Sequence, residues 1–170
     1  MESNFLCRYA IKKGDTTVYR LEFKTKVDGE KKKLISSNIK STLLNKPLPS
    51  FSLNNIDGKT IDQTTLLGKV TVFNFWFTGC VPCIREMPEL NELVEEFEGK
   101  VNFIAPNFNT KEEVQKFLSK REFKYDILCD SKQFNELLNI EFYPTHIIAD
   151  EEGVVKQDIF GANPDIKKQL

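Results

Sequence analysis

The chain has 170 residues, 40% of them hydrophobic and 14 of them Phe, enough for one cored domain with an appendage. Its 24 Lys and Arg balance 25 Asp and Glu to a net charge of -1, which leaves no electrostatic footprint for nucleic acid. The longest apolar run, Val70 to Phe77, is far too short to span a bilayer.

Met1-Glu2-Ser3-Asn4 has neither the basic nor the apolar region of a signal peptide, so the protein is expected either in the cytosol or numbered after a removed leader. Two or three strands are expected next, Phe5–Ile11, Thr16–Thr25 and then Lys31–Ile35, punctuated by Gly14-Asp15 and Asp28-Gly29. In the second, Val18, Arg20, Glu22 and Lys24 alternate with Tyr19, Leu21 and Phe23, which gives the hairpin one apolar face in need of cover. The cluster Lys31, Lys32, Lys33 reads as a solvated surface. Asn38 to Ser50, with Pro47 and Pro49, reads as a connector, so residues 1–46 are expected to form an extension with its linker and residues 47–170 the main domain.

From Phe51 strands and helices alternate. A hairpin (Phe51–Leu53 and Thr60–Ile61 around Asp57-Gly58) leads to Val70–Phe77, a continuous apolar strand of the kind buried on both faces. Cys83 to Phe97 carries Met87, Leu90, Leu93, Val94 and Phe97 at helical spacing and stops near Gly99. Strand Val101–Ala105, helix Lys111–Lys120, strand Asp126–Leu128, helix Lys132–Leu138 and strands Thr145–Ala149 and Val154–Phe160 follow, with a further helix expected after Asn163-Pro164. This order predicts a mixed sheet sandwiched between helices.

Cys80-Val81-Pro82-Cys83 falls at the junction of the apolar strand with the amphipathic helix. Two cysteines at this spacing share the first helical turn, so their sulfurs can close and open a small ring. Unpaired N–H groups and the positive end of the helix dipole favour the thiolate of Cys80, while Pro82 suits a turn in which its missing N–H costs nothing. The chemistry implied is thiol–disulfide exchange. Half of a zinc site and a permanent staple are the competing readings. There is no second CxxC, His146 is the single histidine, Cys7 and Cys129 lack ligand spacing, and so short a loop constrains an unfolded chain little.

With Tyr143-Pro144-Thr145 downstream, Leu48 to Leu170 resembles the thioredoxin fold, and more closely the TlpA/ResA-type thiol–disulfide oxidoreductases of the AhpC/TSA–redoxin superfamily. The segments that carry the likeness are Leu48–Leu53, Gly58-Lys59-Thr60, Leu67–Val70 and Asn74–Pro88. The resemblance implies an α/β, three-layer thioredoxin-like sandwich behind an N-terminal β-hairpin extension, with Cys80 attacking and Cys83 resolving. It implies that Pro144 is a cis-proline opposite the disulfide, that Glu86 is an acidic residue beside it, and that Tyr143, Pro144, Val81 and Pro82 meet the substrate. It further implies a disulfide-bearing protein substrate, an upstream dithiol donor, no cofactor and no metal. The implied protein is a monomer of the periplasm or cell envelope, touching a membrane only through an anchor removed from its N-terminus.

Two departures from the pattern matter. Gly79 stands where thioredoxins carry Trp, so wider access to the disulfide is expected, and Asn74 stands where thioredoxin has a buried Asp, which leaves proton transfer to Glu86. Trp76 reads as core or pocket wall, His146 as a structural histidine ahead of one that approaches the site, and Cys129 as a buried or idle thiol ahead of a third redox cysteine. A peroxiredoxin-like peroxidase and a thioredoxin-fold binding module are the alternative functions. Val72 to Cys80 lacks the Pro-x-x-x-Thr-x-x-Cys pattern of the first, and two intact cysteines argue against the second.

Overall fold

In the computed structural model the described residues are 5–13, 16–23, 36–37 and 43–161, with side chains described over 43–161. Contacts divide the chain into two compact units, Met1–Thr42 and Leu43–Leu170. In the first, β1 (Phe5–Lys13) pairs antiparallel with β2 (Thr16–Phe23), and β2 with the two-residue β3 (Ser36–Ser37). The expected strand Lys31–Ile35, the apolar face of this hairpin and the helix after Pro164 lie outside what is described.

The second unit opens with a segment hydrogen-bonded along the start of the last strand: Asn45 N–H donates to the Val155 carbonyl, Val155 N–H to Lys46, and Leu48 N–H to Gly153. A small antiparallel hairpin, β4 (Ser52–Asn54) with β5 (Thr60–Asp62), follows. The main sheet has five strands, β6 (Val70–Phe75), β7 (Val101–Pro106), β8 (Asp126–Leu128), β9 (Thr145–Ala149) and β10 (Val155–Phe160), in the order β10-β9-β6-β7-β8. The pairs β6–β7 and β7–β8 are parallel, and both pairs made by β9 are antiparallel. Helix α1 (Val81–Glu96) joins β6 to β7, α2 (Lys111–Leu118) joins β7 to β8, and α3 (Lys132–Leu137) precedes β9.

Strand alternation sorts the side chains onto two cores. On one face Val72, Trp76, Phe103, Ala105, Ile127 and Ile148 meet the buried stripes of α1 and α2. On the other, Phe73, Phe75, Ile104, Leu128 and Ile147 meet Phe51 and Ile61 of the hairpin segment and Phe134 of α3. The three-layer thioredoxin-like arrangement is as expected, and Trp76 is core, fully buried against Phe117 and Phe123. Phe73 is equally inaccessible and touches three other rings, so Phe73→Ala is expected to destabilise the protein by about 3–5 kcal/mol. Leu67→Ala, at a side chain 53% exposed, is expected to stay within about 0.5 kcal/mol of the parent. Urea unfolding of both variants checks the pair, and equal midpoints would overturn the assignment of Phe73 to the core.

The central strand is two residues shorter than its apolar run. Trp76 forms only an isolated bridge to Asn107, and Asn109 Oδ1 accepts from both the backbone N–H and the hydroxyl of Thr78, at 3.0 and 3.2 Å. These contacts pull the chain off the sheet and into the turn in which Cys80 N–H donates to the Phe77 carbonyl. The ladder thus ends before Trp76 and Phe77, where a side chain from the β7–α2 loop takes both donors of the next residue, Thr78.

Candidate active site

Cys80 is the N-cap of α1 in extended conformation (φ -78°, ψ 96°), with Pro82 in the first turn. Helix formation begins at Val81, two residues ahead of its expected start, because the cap and the first-turn proline precede the apolar periodicity. Cys80 and Cys83 form a disulfide with 5.3 Å between Cα atoms, and the Cys83 N–H points at Cys80 Sγ, 3.2 Å away. That N–H is one of the donors a helix start leaves unpaired, and aimed at sulfur it favours a thiolate when the ring is open. Pro88 sits inside α1 and cannot return a bond to the Ile84 carbonyl, yet the helix runs on to Glu96.

The wider access to the disulfide expected from Gly79 is corrected by the structure: in the closed ring Cys80 is 3% and Cys83 1% accessible. Closing the ring folds both sulfurs against the core beside Trp76 and Met87. The two sites still differ, since Cys80 lies outside the helix between exposed Gly79 and Val81, whereas Cys83 heads the buried stripe Cys83, Glu86, Met87, Leu90, Leu93.

Glu86 is not a solvated helix-start residue. It lies one turn after Cys83 on the same face and is 8% accessible. Asn74 Nδ2 donates to its Oε1 at 2.9 Å, and His146 Nε2 straddles the carboxylate, 3.2 Å from Oε1 and 3.3 Å from Oε2. Asn74 and His146 are cross-strand partners on β6 and β9, so the register sets both side chains on the α1 face of the sheet. His146, read from alternation as merely structural, is fully buried and in hydrogen-bond contact with Glu86. Tyr125 faces the same carboxylate electrostatically: burial first, and then the Glu86 charge, push its phenol above the ordinary range.

The peptide bond Tyr143–Pro144 is cis, and Pro144 is buried while Tyr143 is half-buried. Asn135 Nδ2 donates to the Tyr143 hydroxyl at 3.0 Å, and the Tyr143 ring stands edge-on to Phe77 and Phe108, with centroids 5.4 and 5.6 Å away. Phe77 and Phe108 stack at 5.3 Å, and a Cβ on Gly79 would meet the Phe77 ring at 3.3 Å. Phe77 and Phe108 follow the C-terminal ends of neighbouring parallel strands, a proximity that no local sequence signal reveals. Cys129 is buried and unpaired, and burial, then Asp130, raise its thiol above the ordinary range. The side chain of Cys7 lies outside the described residues. Among the described residues no group of three or more His, Cys, Asp or Glu side chains is arranged to hold a metal, and no helix is long and apolar enough to cross a membrane.

A CxxC disulfide capping a helix that leaves the central strand of a five-stranded mixed sheet, with a cis-proline preceding an adjacent strand, defines a thioredoxin-fold redox protein. The AhpC/TSA family model matches residues 44–158, and the chain belongs to that family. It is 37% identical to the thioredoxin-like protein YneN of Bacillus subtilis over 115 residues, covering 65% of this chain and 67% of that one. It is 32% identical to the thiol-disulfide oxidoreductase ResA of Bacillus cereus over 130 residues, covering 75% and 74%. Among solved structures, StoA from Bacillus subtilis superposes with a TM-score of 0.61 at 22% identity, covering 72% of this chain and 95% of that one. The thioredoxin domain of a thiol-disulfide oxidoreductase from Bacteroides vulgatus superposes at 0.67 and 20% identity, covering 74% and 94%. Within the family the chain is a redoxin of the TlpA/ResA type.

Proposed function

We propose that the protein reduces disulfides of partner proteins by cycling Cys80 and Cys83 between dithiol and disulfide. The observation that carries this reading is the helix-capping disulfide whose first sulfur accepts the Cys83 N–H. In the reduced protein the Cys80 thiolate attacks one sulfur of the partner's disulfide, and the other sulfur leaves with the bonding pair and takes up a proton. Cys83 then gives its proton to Glu86 and attacks Cys80 Sγ; the mixed disulfide breaks and the partner departs reduced. When an upstream dithiol later attacks Cys80, Cys83 leaves as the thiolate, and the protonated Glu86 returns the proton.

Cys80 is assigned the attack because it lies at the cap between exposed neighbours, and Cys83 the resolution because it stands on the buried stripe with Glu86. Val81 and Pro82 on one side, and Tyr143 and Pro144 on the other, form the surface that meets the partner; Val81 is 55% exposed. The redox unit is assigned to residues 47–170 and the extension to residues 1–46. The protein acts as a monomer in the periplasm or cell envelope, as its TlpA/ResA type suggests, and membrane contact belongs to this reading only with an anchor preceding this sequence.

Insulin reduction measured beside peroxide consumption tests the assignment. Disulfide reduction is expected well above the dithiol background, with peroxide consumption at the background rate. The reverse pattern would make the protein a peroxidase, and neither activity would make it a binding module.

A further inference from the structure

We propose that His146 is a positioning residue for Glu86, holding the buried carboxylate in its ionised form beside Cys83 and so setting the pH range over which Cys83 can be deprotonated. This rests on the proton-transfer role given to Glu86 above.

The contacts around His146 favour one tautomer. Asn74 Nδ2 donates to Glu86 Oε1 at 2.9 Å and lies 3.5 Å from His146 Nδ1, an arrangement that suits a proton on Nε2, the ring nitrogen beside the carboxylate. His146 is then a donor whose Nε2–H falls between the two carboxylate oxygens, 3.2 and 3.3 Å away. A carboxylate withdrawn from water reverts to the neutral acid unless donors replace its hydration. Here Asn74 and His146 are the replacements. Tyr125 also faces Glu86, a buried phenol whose hydroxyl has no hydrogen-bond partner among the described residues. On β10 the residue opposite His146 is the apolar Ile159, and the α1 neighbours of Glu86 on the buried stripe are Cys83 and Met87.

The step affected is resolution: the Cys83 proton passes to Glu86, the sulfur pair forms the bond to Cys80 Sγ, and the partner's sulfur leaves with the pair from the broken bond. Without the His146 donor only Asn74 replaces the hydration of the carboxylate, so its charged, proton-accepting form is less well stabilised. The initial attack by Cys80 does not use this proton.

An aromatic disulfide with a chromogenic leaving thiolate separates the two events, since the first equivalent released reports attack and the second reports resolution. For His146→Phe the acid limb of the second phase is expected to move up by roughly 1–2 pH units, the equivalent of one hydrogen bond to a charged group, with the first phase unmoved. His146→Gln, which keeps an N–H donor, is expected to restore the limb. Coincident second-phase profiles for His146→Phe and the parent would overturn the proposal, provided that Glu86→Gln alters them. If Glu86→Gln leaves them unaltered too, the proton-transfer role of Glu86 itself is overturned, and this inference with it. Should His146→Phe not fold, the parent decides the matter: His146 is the single histidine, so its ring ¹⁵N shifts are assignable directly. The Nε2–H tautomer over neutral pH is expected, and the Nδ1–H tautomer would overturn the proposal.

Discussion

Cys80→Ser is expected to reduce disulfide-reductase turnover to the uncatalysed rate, because an alkanol at the helix cap is not ionised at neutral pH and has no nucleophilic anion for the cap N–H to stabilise. Cys83→Ser is expected to behave differently: attack survives, resolution does not, and the partner accumulates as a mixed disulfide on Cys80. The structure makes this contrast sharper than exposure alone would, since both sulfurs are almost inaccessible in the closed ring. What separates them is their placement, Cys80 outside the helix between Gly79 and Val81, Cys83 inside it above Glu86. Mass spectrometry of each variant after exposure to a disulfide-bearing protein reads the outcome. Adduct on Cys83 in the Cys80→Ser chain, with none on Cys80 in the other, would reverse the roles.

Glu86→Gln is expected to slow resolution of the mixed disulfide by about 10²-fold, the low end of what a positioned proton acceptor contributes. Its effect on the thiol runs the other way. A carboxylate near a thiol raises the thiol pKa, so neutralising the side chain lets Cys83 ionise at lower pH even as the acceptor is lost. The limb of the resolution profile that follows carboxylate ionisation should disappear, while iodoacetamide alkylation of the reduced protein shifts to lower pH. Because Glu86 is buried beside Asn74 Nδ2 and His146 Nε2, the amide replaces one of its two acceptor oxygens by a donor facing a nitrogen. A modest loss of stability is expected alongside, at about 1–3 kcal/mol for an unmatched buried polar group. Superimposable alkylation curves for the two proteins would return Glu86 to a purely structural part.

The redox chemistry was legible in the sequence because it is local. Cysteines at i and i+3, a proline in the first turn and an apolar strand directly upstream define the cap without reference to the rest of the chain. The strands and helices from Thr60 onward followed from periodicity and turn residues for the same reason. Asn74 and Glu86 could each be singled out, one as a departure from the thioredoxin pattern and one as the acidic residue that the family resemblance implies beside the disulfide.

The relations between distant residues were decided by tertiary structure. His146 is 60 positions from Glu86 and 72 from Asn74, and alternation says only which face of its own strand it occupies. The β6–β9 register puts Asn74 opposite His146, and the packing of α1 on that face lowers Glu86 between them. Phe77, Phe108 and Tyr143 likewise meet because two parallel strands end side by side near the turn before β9. The sequence by itself determined a helix-capping dithiol on a redox fold, since that information sits within one strand and one turn. Which groups come to lie beside Cys83 depended on strand pairing across the sheet, because side chains far apart in the chain share a buried site only once non-local contacts have formed.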